Sequence, residues 1–292
     1  MAFQKATRKN VKIKIGLTGP SGSGKTLSAL FIASGLGKKI ALIDTENESA
    51  SLYSDKVDFD TSAMFAPFTP LKLIQEINQA VDGGYDVIVI DSMSHFWAGE
   101  GGVLDEKTAK DQRGGNSFTN WAEYTKIQNK MIAKIMDAPI HIICTLRSKS
   151  DYVMEANQNG KQAPRKVGLA PIQRDGVEYE FSIVFDMAMN HSAIASKDRT
   201  GLFDGVIFTP TKEVGIKLKD WLSTGKEQLA RPKSEEEIVS DLVVKALSLS
   251  DNIKDATTKK RVEDFVSTVT QKEILLKVIE NINAIIEKEA QQ

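Results

Sequence analysis

One cysteine in 292 residues excludes a disulfide scaffold. That residue, Cys144, sits inside an apolar run and reads as a small buried hydrophobe, not a nucleophile. No stretch approaches the apolar length of a membrane span, and the polar N-terminus lacks a signal-peptide pattern. No membrane partner is therefore expected, and a cytoplasmic setting is. Neither sign of charge is in excess. Lys and Arg number 38 against 39 Asp and Glu, so any affinity for nucleic acid must come from a local patch. Internal repeats and low-complexity tracts are absent as well. What remains is 41% hydrophobic and 26% charged, a globular composition. The length suits one large domain with a small appendage, or two modest ones.

One motif organises the chain. Gly19-Pro20-Ser21-Gly22-Ser23-Gly24-Lys25-Thr26 fits G-x-x-x-x-G-K-[ST] without a mismatch. The apolar run from Ile13 to Leu17 precedes it, and a helical pattern through Leu27, Leu30, Phe31 and Ala33 follows. Strand, loop and helix are the context this motif requires. Its glycines let backbone N–H groups turn inward around phosphate oxygens, and the helix N-terminus adds partial positive charge. Lys25 is placed to reach the β- and γ-phosphates, and the Thr26 hydroxyl to hold Mg²⁺.

Two further runs end in acids. Lys39 to Asp44 reads as a strand followed by Thr45-Glu46-Asn47-Glu48. Ligands of α/β sheets sit at the carboxyl ends of strands. There Glu46 is a candidate base for the water that attacks a γ-phosphate. An exposed polar loop fits the same residues, and position alone leaves both readings open. Tyr85 to Ser92 reads as a buried parallel strand whose Asp91 is placed to hold Mg²⁺ opposite Thr26.

The rest is read from punctuation and periodicity. Val57 to Phe68 is expected to be irregular, and Pro70 to Val81 a helix. Ala98 to Asn120, rich in glycine and charge, reads as a mobile loop, and Trp121 to Met136 as a helix. Pro139 to Leu146 is a strand ending in Thr145-Leu146-Arg147. Lys149 to Val177 then breaks the rhythm, with Asn159-Gly160 as a hairpin turn. This segment carries Lys149, Lys161, Arg165, Lys166 and Arg174, with Tyr152 and Tyr179 near its ends. Basic side chains and aromatics suit single-stranded nucleic acid, while a solvated hairpin needs the same composition. Strands are expected from Tyr179 to Met189 and Ala193 to Ser196. Lys197 and Arg199 follow, two residues apart, a spacing that puts both on one face of a strand. An ordinary solvated turn accounts for the pair equally well.

Four segments result: a flexible basic arm over 1–10, an α/β core over 11–223, a linker over 224–234 and a helical region over 235–292. The last shows helical spacing throughout and mixed, slightly acidic charge.

The P-loop, the Ile43-Asp44-Thr45-Glu46 strand end and the Asp86-to-Ser92 strand together resemble the RecA-like P-loop ATPase core. Within that group the chain looks like phage-encoded nucleotide-binding proteins, some of them recombinases or single-strand annealing proteins. Pro171 to Phe181 and Ser196 to Gly201 carry that finer resemblance, which covers about residues 11–210. It implies a mostly parallel central sheet flanked by helices, with ATP and Mg²⁺ as ligands. It implies Glu46 as catalytic base, Arg147 or Thr145 as γ-phosphate sensor, and Lys197 with Arg199 as a pair reaching a neighbouring protomer's ATP. The implied partners are single-stranded DNA, further copies of the chain in a ring or filament with a shared ATP site, and a phage or host single-strand-binding protein. Residues 98–120 and 148–177 fall where RecA places its two DNA-binding loops, but neither carries the recombinases' loop sequence. Two functions follow: a DNA-stimulated ATPase of phage recombination or annealing in the host cytoplasm, or an ATP-gated assembly protein whose C-terminal helices hold a partner. A small-molecule kinase fits the P-loop but not Glu46.

Overall fold

An apolar run without polar alternation is stable only when both faces are covered, as in a parallel sheet between helices. Four such runs build the centre: β2 (Lys14–Gly19), β3 (Ile40–Asp44), β5 (Val87–Asp91) and the first part of β6 (His141–Ala156). With β4 (Asp60–Ala63) and β8 (Ile183–Met187) they lie in the order β4-β3-β5-β6-β2-β8, all parallel. β9 (Ala193–Asp198) and β10 (Ile207–Phe208) extend the β8 side as antiparallel strands. The computed structural model describes residues 5, 9–114, 116–156, 162–227 and 234–290. They divide into two units, Met1–Gln228 and Leu229–Gln292.

Period-two alternation sorts the buried side chains onto two faces. Ile15, Leu17, Val87, Val89 and Ile143 pack with α1 (Lys25–Leu36) and α6 (Lys212–Ser223). Ile88, Ile90, Ile142 and Cys144 face the other way, onto α2 (Pro70–Asp82) and α5 (Ser117–Asp137). Cys144 is wholly buried, and that burial pushes its thiol up to about 12, so it is inert as expected. The helices α1 and α6 touch backbone to backbone. A Cβ on Gly35 would lie 2.2 Å from the Lys212 carbonyl, and one on Gly215 2.1 Å from the Ile32 carbonyl.

Three expectations need correction. Residues 57–68 are not irregular throughout: β4 adds to the edge of the sheet beside β3. Residues 98–120 are not a mobile loop. Ala98 ends the short α3 (Ser94–Ala98), and α4 (Val103–Arg113) follows and turns into the start of α5. Asp111 ties the turn, accepting from Asn120 at 2.8 Å, from Ser117 at 3.0 Å and from Lys107. The N-terminal arm is held at its end, where β1 (Lys9–Asn10) pairs in parallel with β11 (Lys226–Glu227).

β7 (Gln162–Pro171) pairs antiparallel with the outer half of β6, as the hairpin reading requires. The Asn159-Gly160 turn and Lys161 lie outside the described residues. The second unit is three helices, α7 (Glu235–Ser250), α8 (Ala256–Val266) and α9 (Lys272–Ala290), around Ala246, Ile253, Val266, Leu275, Ile279 and Ile282. Ser234 opens it with a capping box, its hydroxyl accepting from the Glu237 N–H while Glu237 accepts from the Ser234 N–H. Among the described residues no helix is long and apolar enough to cross a membrane.

Candidate active site at the carboxyl edge of the sheet

The P-loop leaves β2 at Gly19 and enters α1 at Lys25. Gly22 at φ +81° and Gly24 at φ +83° take the left-handed backbone that turns the loop, a conformation costly for other residues. Lys25 folds over the loop, its Nζ donating to the Gly19 carbonyl at 2.9 Å and the Pro20 carbonyl at 2.8 Å. Burial lowers the Lys25 pKa, and the charges of Asp91 and Glu46 pull it back up. Ser23 Oγ donates to the Pro20 carbonyl at 2.9 Å, which closes the loop with Ser21 and Gly22 at its exposed tip.

Asp91 ends β5, 2% exposed, with both carboxylate oxygens in use. Thr26 Oγ1 donates to Oδ2 at 2.6 Å, and Thr145 Oγ1 donates to Oδ1. Burial raises the Asp91 pKa against the pull of those two hydroxyls. The Asp91-Ser92 peptide is cis. Thr45 stitches this strand end to β3: its hydroxyl accepts from the Ser92 N–H at 2.8 Å and meets His95 Nδ1 at 2.7 Å.

Glu46 stands on the loop after β3. Asp44 shapes that loop by accepting from the Glu46 N–H at 2.6 Å and the Ala50 N–H at 3.1 Å. Asn47 and Glu48 follow at φ +57° and +60°, a left-handed pair rare outside glycine. Arg147, at the end of the parallel part of β6, grips the Glu46 carboxylate with two donors, Nε at 2.8 Å and Nη2. Partial burial draws the Glu46 pKa up. The Arg147 guanidinium outweighs it and holds the carboxyl below the usual range. A cavity of about 440 Å³ opens beside this pair, lined by Thr45, Asn47, Phe65, Phe68 and His95 among others. The His95 ring stacks on Phe68 at 4.9 Å.

The fold thus gathers Lys25, Thr26, Glu46, Asp91, Thr145 and Arg147 at one edge, from four strand ends. Lys197 and Arg199 are not among them. Asp198 pairs with Ile183, which pairs with Ile15, so the two cations lie at the opposite edge. From Ile15 to Gly19 the strand rises about 13 Å. There Lys197, on β9, and Arg199, one residue beyond it, both donate to the Tyr179 carbonyl, Arg199 at 3.3 Å. Of the basic hairpin residues, Lys149 is exposed, and Arg174 donates to Asn129 on α5 at 3.2 Å. Arg165 and Lys166 sit on β7 opposite Val153 and Tyr152.

Sequence reading missed the turn between β8 and β9, which lies against the P-loop. A Cβ on Gly19 would be 2.8 Å from the Met187 carbonyl, and one on Gly24 2.9 Å from His191 Nδ1. His191 at φ +64° signals nothing in the sequence, because only the fold brings it to Gly24.

A family profile described as an AAA domain matches residues 11–220. No curated protein sequence matches the chain. Among solved structures, a similar one is described as a prototypical ATPase from the type III secretion system of pathogenic bacteria. It is 13% identical, with 92% of this chain and 80% of that one covered, at a TM-score of 0.39. The family match spans the P-loop, both acid-bearing strand ends and Arg147, and the chain belongs to the AAA-domain family of nucleotide-binding P-loop ATPases.

Proposed function

We propose that this chain is a Mg²⁺-dependent ATPase that acts on single-stranded DNA, in recombination or annealing of the phage type that its sequence resembles. The observation that carries the reading is β6. One strand, His141–Ala156, bears Thr145 and Arg147 at the phosphate edge and then continues outward as half of the basic hairpin. A contact made on the hairpin therefore pulls on the strand that holds Glu46.

The chain's own residues divide the chemistry. The P-loop N–H groups and Lys25 hold the phosphates. Arg147 exchanges the Glu46 carboxylate for γ-phosphate oxygens, and Glu46, released, orients and deprotonates the attacking water. While paired to Arg147, Glu46 is a weak base, because its pKa lies below the carboxylate range and far from neutrality. The exchange keeps hydrolysis waiting for nucleotide. Among the described residues no group of three or more His, Cys, Asp or Glu side chains forms a metal cage. Thr26 and Asp91 instead offer two hard oxygen donors at one point, 2.6 Å apart, which fits an ion that takes its other ligands from phosphates and water. Mg²⁺ held there would neutralise charge developing on the phosphates.

Lys197 and Arg199 complete the proposal as cations supplied to a neighbouring copy's ATP. Their position at the opposite edge of the sheet supports action in trans, since the same chain's P-loop is out of reach. A second reading, an ATP-gated assembly protein, is favoured by the C-terminal unit, which exposes Phe265, Ile274 and Leu276. The test is ATP turnover with and without single-stranded DNA, with particle size followed alongside. Stimulation by DNA supports the first reading. A change of size with ATP but no stimulation supports the second.

A further inference from the structure

The site described so far lies on one flank of the P-loop. Glu46 follows β3, Asp91 ends β5, and Thr145 and Arg147 stand on β6, the neighbour of β2 on that side. The γ-phosphate end of a nucleotide belongs there. The nucleoside end must then leave the loop on the other flank, where β2 is bordered by β8. The turn from β8 to β9 occupies that flank.

Its backbone is fixed by its own hydrogen bonds. The Ala188 N–H donates to the Ser192 carbonyl at 2.8 Å, and the His191 N–H to the Ala188 carbonyl at 2.9 Å. Asn190 Oδ1 accepts from the Ser192 N–H at 3.1 Å and from its hydroxyl at 2.7 Å. Two large side chains of this turn are left outside that network. Met189 is 62% exposed, with Cε 3.5 Å from where a Cβ on Gly22 would stand. His191 is exposed at φ +64°, and among the described residues its ring has no hydrogen-bond partner, although it lies against Gly24. A left-handed backbone at a residue other than glycine holds this ring beside the phosphate loop, the kind of outlier that motivates a functional hypothesis. A thioether suits an aromatic face, and an imidazole offers both a donor and an acceptor.

We propose that Met189 and His191 form the nucleoside side of the site. The Met189 thioether covers the face of a purine ring, and a His191 ring nitrogen meets the ribose hydroxyls. This assignment rests on the nucleotide reading of the P-loop and adds to it a group that selects nucleoside triphosphate over bare polyphosphate.

The test compares two ligands by calorimetry on the full chain, Mg-ATP and Mg-tripolyphosphate, the second lacking a nucleoside. The variant combines Met189→Ala with His191→Asn, since asparagine tolerates the left-handed backbone. Affinity for Mg-ATP is expected to fall about tenfold, the size of one base–side-chain stack, with tripolyphosphate binding unchanged. Equal loss for both ligands would overturn the proposal, because the turn would then merely shape the loop. Unchanged ATP affinity would overturn it too. Wild-type protein that binds neither ligand removes the nucleotide reading itself, an outcome distinct from the other two. If the double variant does not fold, Met189→Ala alone alters one exposed side chain. A roughly threefold loss confined to ATP then supports the assignment, and no loss overturns it.

Discussion

The two edges of the central sheet hold similar side chains in different ways. At the carboxyl edge two pairings run between side chains, Arg147 holding Glu46 and the hydroxyls of Thr26 and Thr145 holding Asp91, while Lys25 and Asp44 engage backbone. At the amino edge the charged groups engage backbone. Lys14 Nζ donates to the Ala138 and Ile140 carbonyls at 2.7 and 2.6 Å, closing the C-terminus of α5, and burial draws its pKa down to about 7. His141 Nδ1 accepts from the Ile13 N–H at 3.1 Å, which requires the neutral ring. Lys197 and Arg199 meet the Tyr179 carbonyl. A backbone partner is fixed with the fold, whereas a side-chain partner turns away when a ligand competes for it. The edge whose polar groups hold one another is the edge equipped to change.

The largest expected effect joins the two edges. Lys197→Ala with Arg199→Ala should lower stimulated hydrolysis by about 10³–10⁵-fold, the value of an added cation at the phosphoryl transition state. Mixing this protein with Lys25→Ala should restore part of the activity, because mixed assemblies contain some complete sites. If demonstrably mixed oligomers show no recovery, the pair belongs to the fixed edge alone.

Next comes Glu46→Gln, which should keep ATP binding and slow turnover by about 10²–10⁴-fold. Turnover equal to wild type in a quenched single-turnover assay would place the base elsewhere and make the Arg147 grip merely structural.

The hairpin gives a smaller, graded effect. Neutralising Lys161, Arg165 and Lys166 together should weaken single-stranded DNA binding. The log–log salt slope should fall by about 0.7 for each lost phosphate contact. A slope unchanged between salt titrations of the two proteins would leave the hairpin without a nucleic-acid role.

The smallest effect concerns the fixed edge itself. Burial, with Lys12 and Lys14 nearby, holds the His141 pKa down to about 3 from 6.5. Below pH 6.5 the unfolded chain takes up a proton that the native ring refuses, so stability falls with pH through that window. The loss should approach about 1.4 kcal/mol per pH unit. His141→Asn keeps an acceptor for Ile13 and does not titrate. Denaturant melts between pH 7 and 5 should show a shallower decline for the variant. Parallel declines would mean that His141 titrates alike in both states.

The centre of this fold was legible because its physics is local. An apolar run capped by an acid announces β5 and Asp91, and the spacing of Leu71, Ile74, Ile77 and Val81 announces α2. The P-loop announces its own strand and helix. The misses share a cause. β4 is Asp-Thr-Ser-Ala, with no hydrophobic pattern, and is a strand only because β3 offers an edge. α4 buries Val103 alone and is steadied by Asp111 reaching across to α5, which periodicity does not register. The contact of His191 with Gly24 and the placing of Lys197 away from Lys25 depend on strand register, which the spacing of residues along the chain does not contain. Glu46 was visible as an acid at a strand end, but its grip by Arg147, 101 residues away, was not.

The glycine contact between α1 and α6 has a mechanical consequence. Where two helices meet through side chains, rotamers absorb small displacements. Gly35 and Gly215 leave no such cushion, since opposing backbone fills the space that a Cβ would need. The helix that begins at the phosphate loop and the helix that leads into β11 therefore translate together, like two bars welded at one point. A displacement of α1 too small to alter any rotamer still arrives at Lys226, where the last strand of the core ties down the first.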